Sequence, residues 1–161
     1  MRTNDKQPSY PDLVGKVAVV TGGSGGIGAA TCRLLAANGA KVVVNGRDQA
    51  KLDHVVDSIR ASEAEALNGS GEVLLVMGQL DQARARHALA LDLAVQVGDT
   101  YQQAGAHGGL AHAHAADGNY RAARQHWQHA LDLHTRLGVP EAREVLGHLA
   151  TYGMAMSIAA R

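Results

Sequence analysis

All four lysines of this 161-residue chain lie before residue 52, and eight of its nine histidines lie after residue 62. Residues 1–62 carry eight Lys and Arg against five Asp and Glu, whereas residues 63–161 carry seven against ten. The net charge of zero therefore hides a basic part and an acidic part. Since a chain of this length holds one domain or two small ones, we expect segments over residues 1–62 and 63–150, followed by a tail over residues 151–161.

The overall composition excludes several classes of protein. Zero net charge provides no field to attract nucleic acid or an anionic membrane. A single cysteine, Cys32, excludes an internal disulfide and favours a reducing compartment. No apolar run approaches the roughly 20 residues of a membrane span, and the polar start lacks a signal-peptide core. We therefore expect a cytoplasmic protein with no membrane or nucleic-acid contact.

The first segment alternates between strand and helix patterns. Residues 17–20 form a short run of apolar and mostly β-branched side chains. Such a run predicts a parallel strand that is buried on both faces. A glycine-rich turn over residues 21–28 follows, and then a helix over residues 29–38. Residues 41–44 predict a second strand, and residues 49–60 a second helix capped by Asp48. The pattern is β-α-β-α.

The glycine-rich turn has the features of a pyrophosphate-binding loop. Gly22, Gly26 and Gly28 allow a tight turn and a close approach of the backbone to phosphates, and the helix that follows offers N–H groups and a positive dipole end. A glycine-rich loop that binds no ligand is the alternative. The candidate binding residues in this turn are Thr21, Gly22, Ser24, Gly26, Ile27 and Gly28.

The G-x-x-x-G-x-G spacing after Thr21, with Gly-Lys-Val-Ala-Val-Val before it, resembles the short-chain dehydrogenase/reductase family over about residues 12–60. The resemblance implies part of a Rossmann fold and a nicotinamide cofactor. An acidic residue at the end of the second strand would bind the ribose of NAD, but Asn45 and Arg47 stand there. Because a guanidinium suits a 2′-phosphate, these two residues favour NADP(H).

The family resemblance also implies a Tyr-x-x-x-Lys pair, in which the tyrosine donates a proton and the lysine lowers its pKa. No lysine follows Lys51, so the pair is absent in every register. Tyr120 with Arg124 is the nearest substitute, but arginine keeps its proton. Only two strands are readable, where a Rossmann sheet has about six. We therefore assign no catalytic residue and expect half of a cofactor site.

The second segment contains an internal repeat of 40 residues. Residues 66–99 and 106–139 are identical at ten of 34 ungapped positions. Each repeat predicts two helices, the first ending at Gly78 or Gly118 and the second at Gly98 or Gly138. A last helix over residues 141–150 follows Pro140. The chain is thus expected to be a partial α/β segment followed by an all-α segment.

The repeat resembles the tetratricopeptide repeats of bacterial regulatory proteins over about residues 64–150, through a Gly-x-Leu/Tyr-x-x-Ala signature at residues 78–83 and 118–123. The resemblance implies a surface that binds a protein or peptide; a helical domain that only packs is the alternative. Adjacent Gly108 and Gly109 should weaken their helix by about 1 kcal/mol each. Small residues are expected where helices approach closely, at Gly69, Ala83, Ala90, Gly109, Ala123 and Ala130.

The remaining signals point to packing rather than chemistry. Cys32 is expected in the core, and no metal-binding pattern accompanies the histidines. His112, His114, His126, His129 and His134 are expected on solvated faces. The sequence thus favours an interaction scaffold fused to a catalytically inactive NADP(H)-binding segment. The alternatives are a short-chain oxidoreductase and a non-functional fusion or rearranged reading frame. A homo-oligomer, in which a second copy of the chain completes the half-site, is a further alternative.

Overall fold

The computed structural model describes residues 10–159, with side chains over residues 10–152. A 3-10 turn precedes two strands and six helices in this range, as expected of a short α/β segment followed by an all-α segment. The strands are β1 (Val17–Thr21) and β2 (Lys41–Asn45). The helices are α1 (Gly26–Ala37), α2 (Gln49–Val76), α3 (Leu80–Val97), α4 (Thr100–Ala116), α5 (Tyr120–Leu137) and α6 (Glu141–Ala159).

The chain divides into two compact units between Ile59 and Arg60. In the first unit, β1 and β2 pair in parallel, with Val17 opposite Lys41 and Thr21 opposite Asn45. Both strands and the glycine-rich turn between β1 and α1 therefore form where the sequence predicts them. None of the helices in the described range is long and apolar enough to cross a membrane.

The sheet of the first unit buries only one of its faces. Cys32 of α1 and Val55 of α2 are buried in the same cluster, and the inward side chains of the strands pack on it. On the opposite face Val17, Val19 and Val43 are 67%, 66% and 51% exposed. The expectation of a strand buried on both faces is wrong, because α1 and α2 both cover the same side and no described element covers the other.

Helix α2 is continuous from Gln49 to Val76, where the sequence predicts one helix ending near residue 60 and another beginning near residue 66. Residues 61–66 read Ala-Ser-Glu-Ala-Glu-Ala. These residues include three alanines, the strongest helix former, and no Gly or Pro. Nothing in this stretch therefore ends the helix.

Helix ends in the second unit follow their capping residues. Gly98 and Gly138 have φ of 70° and 69° at the ends of α3 and α5, a left-handed conformation that disfavours a side chain. Helix α4 begins at Thr100, six residues before the predicted start of the repeat, because the Asp99 carboxylate accepts a hydrogen bond from the backbone N–H of Gln102. Residues 151–159, expected as a tail, continue α6.

Alanines and one tryptophan fill the core of the second unit. Ala83, Ala90, Ala123 and Ala130 are fully buried at the repeat positions where close helix approach is expected. Trp127 is also fully buried and stacks on Tyr152 at a centroid distance of 4.8 Å. The tryptophan is therefore a core residue of the second unit.

Gly69 does not take part in the close helix approach that the sequence predicts for it. It is exposed, and a Cβ added there would meet nothing within 4 Å. Gly71 takes that role instead, since its Cβ would lie 2.5 Å from Nε2 of His87. Repeat alignment alone cannot show which side of α2 faces α3.

His87 occupies a closed slot between three helices. Its ring is fully buried, and a Cβ added at Gly109 of α4 would lie 2.2 Å from Cε1 of the ring. His87 Nδ1 lies 3.1 Å from Oδ1 of Asn68, whose amide nitrogen donates to the Gln102 carbonyl oxygen at 3.1 Å. Burial lowers the pKa of His87 to about 4, so the ring is neutral at pH 7.

Several histidines expected on solvated faces are packed. His134 is 7% exposed, and His114 and His126 are half-buried with their rings stacked. His112 and His129 remain exposed. Helical spacing marks which residues share a face, but it does not reveal that α5 lies against that face of α4. Among residues 10–152, no group of three or more His, Cys, Asp or Glu side chains is arranged to hold a metal ion.

The slot around His87 predicts opposite effects for two neighbouring glycines. Gly109→Ala should lower the free energy of unfolding by about 1–3 kcal/mol, because the new methyl group overpacks a ring that cannot move. Gly108→Ala should raise it by up to about 1 kcal/mol, since a Cβ there meets nothing within 4 Å and alanine favours the helix. Urea unfolding followed by Trp127 fluorescence measures both. Equal effects of the two substitutions would contradict the close packing of Gly109 against the His87 ring.

Candidate nucleotide-binding site

The loop between β1 and α1 is shaped by close contact between backbone segments. A Cβ added at Gly28 would lie 2.2 Å from the carbonyl oxygen of Gly22 and 2.8 Å from its carbonyl carbon. Because backbone atoms cannot move aside as a side-chain end can, only glycine fits at position 28. The first turn of α1 thereby lies directly against the end of β1, and its N–H groups face the loop.

Gly22 and Gly26 give the loop its sharp turn. Their φ values are 70° and 53°, in the left-handed region that glycine adopts without strain. Gly25 between them is extended, and α1 begins one residue later. The three glycines of the sequence motif thus have separate tasks, two for the turn and Gly28 for the close approach.

The end of β2 lies beside this loop and completes a shallow site. The backbone N–H of Gly23 donates to the carbonyl oxygen of Asn45 at 2.9 Å. Gly46 lies so close to Ser24 that an added Cβ would be 3.0 Å from its Oγ. The cavity between the two loops has a volume of about 390 Å³. It is lined by Gly22, Ser24, Asn45, Gly46, Arg47, Asp48 and Lys51.

Three charged residues lie on the β2 side of the cavity. Lys51 Nζ is 3.2 Å from Oδ2 of Asp48, and the Lys51 backbone N–H donates to Oδ1 of the same carboxylate at 3.2 Å. The backbone hydrogen bond, followed by the Lys51 ammonium, lowers the pKa of Asp48. Asp48 thus caps α2, as expected, and neutralises one of the two cations. Arg47 is exposed and has no ionic partner among the described residues.

The predicted binding residues fall into two groups. Gly22, Ser24, Asn45 and Arg47 line the cavity together. The other four surround it: Thr21 is exposed opposite Asn45 at the end of β1, and Gly26, Ile27 and Gly28 form the first turn of α1. Ile27 is 88% exposed, so its contribution to the described site is its backbone rather than its side chain.

Sequence reasoning missed Lys51 as a cavity residue. The signal was present, because Lys51 lies one helical turn after Asp48, and residues three apart on a helix are neighbours. Cys32, by contrast, is fully buried beneath the site, and burial raises the pKa of its thiol. It is a core residue, as the sequence predicts.

Comparison with known families separates the two parts of the chain. Residues 16–85 match the short chain dehydrogenase family, and residues 62–136 match a tetratricopeptide repeat family. The chain is thus similar to two families. Both resemblances expected from the sequence are confirmed, and the two matched ranges overlap over residues 62–85.

Similarity to individual proteins is confined to a short stretch. The chain is 43% identical over 56 residues to an uncharacterized oxidoreductase of Bacillus subtilis, covering 35% of this chain and 21% of that protein. It is 46% identical over 61 residues to polyprenol dehydrogenase of Mus musculus, covering 38% and 18%. The chain thus spans about a fifth of the length of these relatives. No solved structure gives a significant match.

Proposed function

We propose that this chain is a protein-interaction scaffold, in which helical repeats over residues 63–150 bind a protein or peptide and residues 1–62 bind NADP(H) without catalysing its oxidation. The sequential packing of the helices carries the first part: α3 packs on α4, α4 on α5, and α5 on α6. Stacked helix pairs of this kind form extended binding surfaces. The one cysteine, buried and reduced, supports a cytoplasmic location.

The geometry of the first unit supports nucleotide binding. Gly26 and Gly28 leave two positions of the first turn of α1 without a side chain, so a pyrophosphate can approach its N–H groups. At the other end of the cavity, Arg47 offers a guanidinium with no carboxylate partner in the described structure. A 2′-phosphate fits this position, because a planar donor fork binds phosphate through two hydrogen bonds. Bound NADP(H) would supply a nicotinamide hydride.

Removing the Arg47 guanidinium should weaken NADPH binding. We expect Arg47→Ala to raise the Kd for NADPH by about 10- to 100-fold, the effect of one lost charge-assisted hydrogen bond, and to leave NADH binding unchanged. Lys41→Ala is the matched control, since Lys41 is an exposed cation of β2 outside the cavity. Calorimetric titration measures each Kd. An equal loss of NADPH affinity in both variants would show that binding depends on the overall positive charge and not on a specific contact with Arg47.

The tyrosines of the chain do not support catalysis. A carbonyl reductase of the short-chain type needs a tyrosine with a lowered pKa, provided by a lysine four residues later. Tyr101 instead donates a hydrogen bond to the Glu141 carboxylate at 3.1 Å, which raises the pKa of the phenol. Tyr120 stacks on Tyr152, and neither has a lysine at the required spacing.

We expect the purified chain to show no NADPH-dependent reduction of aldehydes or ketones, because it lacks the proton-donating pair. The assay follows NADPH absorbance with a panel of carbonyl substrates, beside a short-chain reductase that has the Tyr-x-x-x-Lys pair. NADPH consumption that rises in proportion to the amount of protein would establish the oxidoreductase alternative, which the family match over residues 16–85 favours.

A groove in the second unit is the candidate surface for a peptide. It has a volume of about 590 Å³ and is lined by Leu131, Asp132, Thr135, Arg136 and Leu146 of α5 and α6. Leu146 is 52% exposed. Apolar side chains flanked by one acid and one base suit a peptide with an apolar anchor and adjacent polar groups.

Peptides selected from a displayed library on the full chain should bind this groove. We expect Leu146→Glu to weaken such a peptide at least tenfold, because the substitution places a charge against the apolar anchor. Leu137→Glu is the matched control, since Leu137 is an exposed leucine of α5 outside the groove. Fluorescence anisotropy measures the affinities. Equal binding to both variants would place the peptide elsewhere, whereas a non-functional fusion predicts that neither peptide nor NADPH binds.

A further inference from the structure

Four histidine rings contact one another in series between α4 and α5: two of the three contacts are stacked, and the central contact, His107 with His126, is tilted by 37°. The ring centroids of His114 and His126 are 5.6 Å apart, those of His126 and His107 are 5.3 Å apart, and those of His107 and His129 are 5.0 Å apart. We call these four residues the imidazole ladder. Two come from α4 and two from α5, so the ladder is part of the contact that joins the helices.

The central contact of the ladder requires a neutral ring. Nδ1 of His107 lies 3.0 Å from Nδ1 of His126. A hydrogen bond at this distance needs one nitrogen to donate and the other to accept, and a neutral imidazole can do either. In the imidazolium form both ring nitrogens carry protons. If both rings were charged, the hydrogen bond would therefore be replaced by two facing donors and by repulsion between like charges.

The surroundings of the ladder oppose its protonation. Burial, followed by the neighbouring His126 and His129, lowers the pKa of His107 to about 4. Burial, followed by His114 and His129, lowers the pKa of His126. The electrostatic neighbours of these two rings in the described structure are therefore other imidazoles.

Titratable groups on the flanking helices do not offset this. Helix α3 contributes His87, which is buried and whose pKa is lowered by burial and by His112 of α4. Helix α6 contributes His148 and Glu144, and both act on His112 rather than on the ladder. The Glu144 carboxylate thus favours a charged His112, but the ladder itself has no such partner in the described range.

The first repeat lacks the ladder, although it has the same helix pairing. At the 40-residue offset, Leu67, Leu74 and Leu89 occupy the positions of His107, His114 and His129, and Arg86 that of His126. Leu67 is 7% exposed and packs in the core with Ala90 and Ala106. In the first repeat, an apolar residue therefore makes this contact between helices. Only the second repeat has a titratable residue at the same position.

We propose that the α4–α5 pair is a pH-sensitive switch, which is closed while His107 and His126 at the centre of the imidazole ladder are neutral and opens on acidification as these two rings become charged. The switch concerns the stability of the second unit, so it does not depend on the proposed cofactor or partner.

The sign of the pH effect follows from the direction of the pKa shifts. An unfolded histidine has a pKa near 6.5, and His107 in the folded chain has a pKa of about 4. Between these values the unfolded chain binds more protons, so stability is full above about pH 6.5 and falls as the pH drops toward 4. Each such group changes the unfolding equilibrium constant by up to about tenfold per pH unit.

Urea unfolding of the full chain at pH 7.5, 6 and 5 tests the switch. Trp127 is the only tryptophan, so its emission wavelength reports the second unit; wavelength is preferred to intensity because His112 and His148 contact the indole. We expect the unfolding constant of the wild type to rise about five- to tenfold more between pH 6 and 5 than that of the variant His107→Leu, His114→Leu, His129→Leu. This variant copies the residues of the first repeat.

Control variants test whether the ladder itself causes the pH dependence. His54→Gln changes an exposed histidine of the first unit and should keep the wild-type pH dependence. If the triple variant does not fold, His107→Leu alone provides the same comparison. A pH dependence equal to that of the wild type in the ladder variant would overturn the proposal. So would stabilisation of the wild type by zinc at pH 7 that EDTA reverses and the variant lacks, since the cluster would then be a metal site.

Discussion

The burial of His87 between glycines holds the second unit together. Its ring lies against Gly71 of α2 and Gly109 of α4 so closely that neither position admits a Cβ without a shift. Asn68 then ties the ring to the start of α4 through Gln102. Three helices thus depend on one neutral imidazole. The same position in the next repeat holds Trp127, so the two repeats close similar gaps with different chemistry.

Glycines, which have no side chain, also determine the backbone geometry of the first unit. The contact of Gly28 with Gly22 brings the N-terminus of α1 against the end of β1, and the cavity beside it is lined by Arg47 of the loop after β2 and by Lys51 of the first turn of α2. This arrangement leaves room for phosphate groups and provides cations around them. The sequence has no Tyr-x-x-x-Lys pair to accompany it. The proposal that this unit binds a cofactor without catalysis rests on the presence of these cations and the absence of the catalytic pair.

Local patterns predicted much of the fold, because short strands, glycine turns and capped helices are encoded over a few residues. The strands, the turn and the ends of α3 and α5 at Gly98 and Gly138 lie where the sequence indicates. Predictions that required knowledge of neighbours were wrong: the outer face of β1 is exposed, and His134 is buried. Lys51 lines the cavity because its contact with the capping residue Asp48 fixes its position. The spacing of the two residues in the sequence indicated this only weakly.

By itself the sequence determined that two unlike segments follow one another, that the first has a glycine-rich turn between a strand and a helix, and that no Tyr-x-x-x-Lys pair exists. These conclusions need only residue types and spacing. The tertiary structure decided which residues meet: the His87 slot, the cavity beside Arg47, and the hydrogen bond of His107 with His126. The histidine contacts join residues 16 or more positions apart, and the lowered pKa values of these histidines arise first from burial, which exists only after the helices have packed.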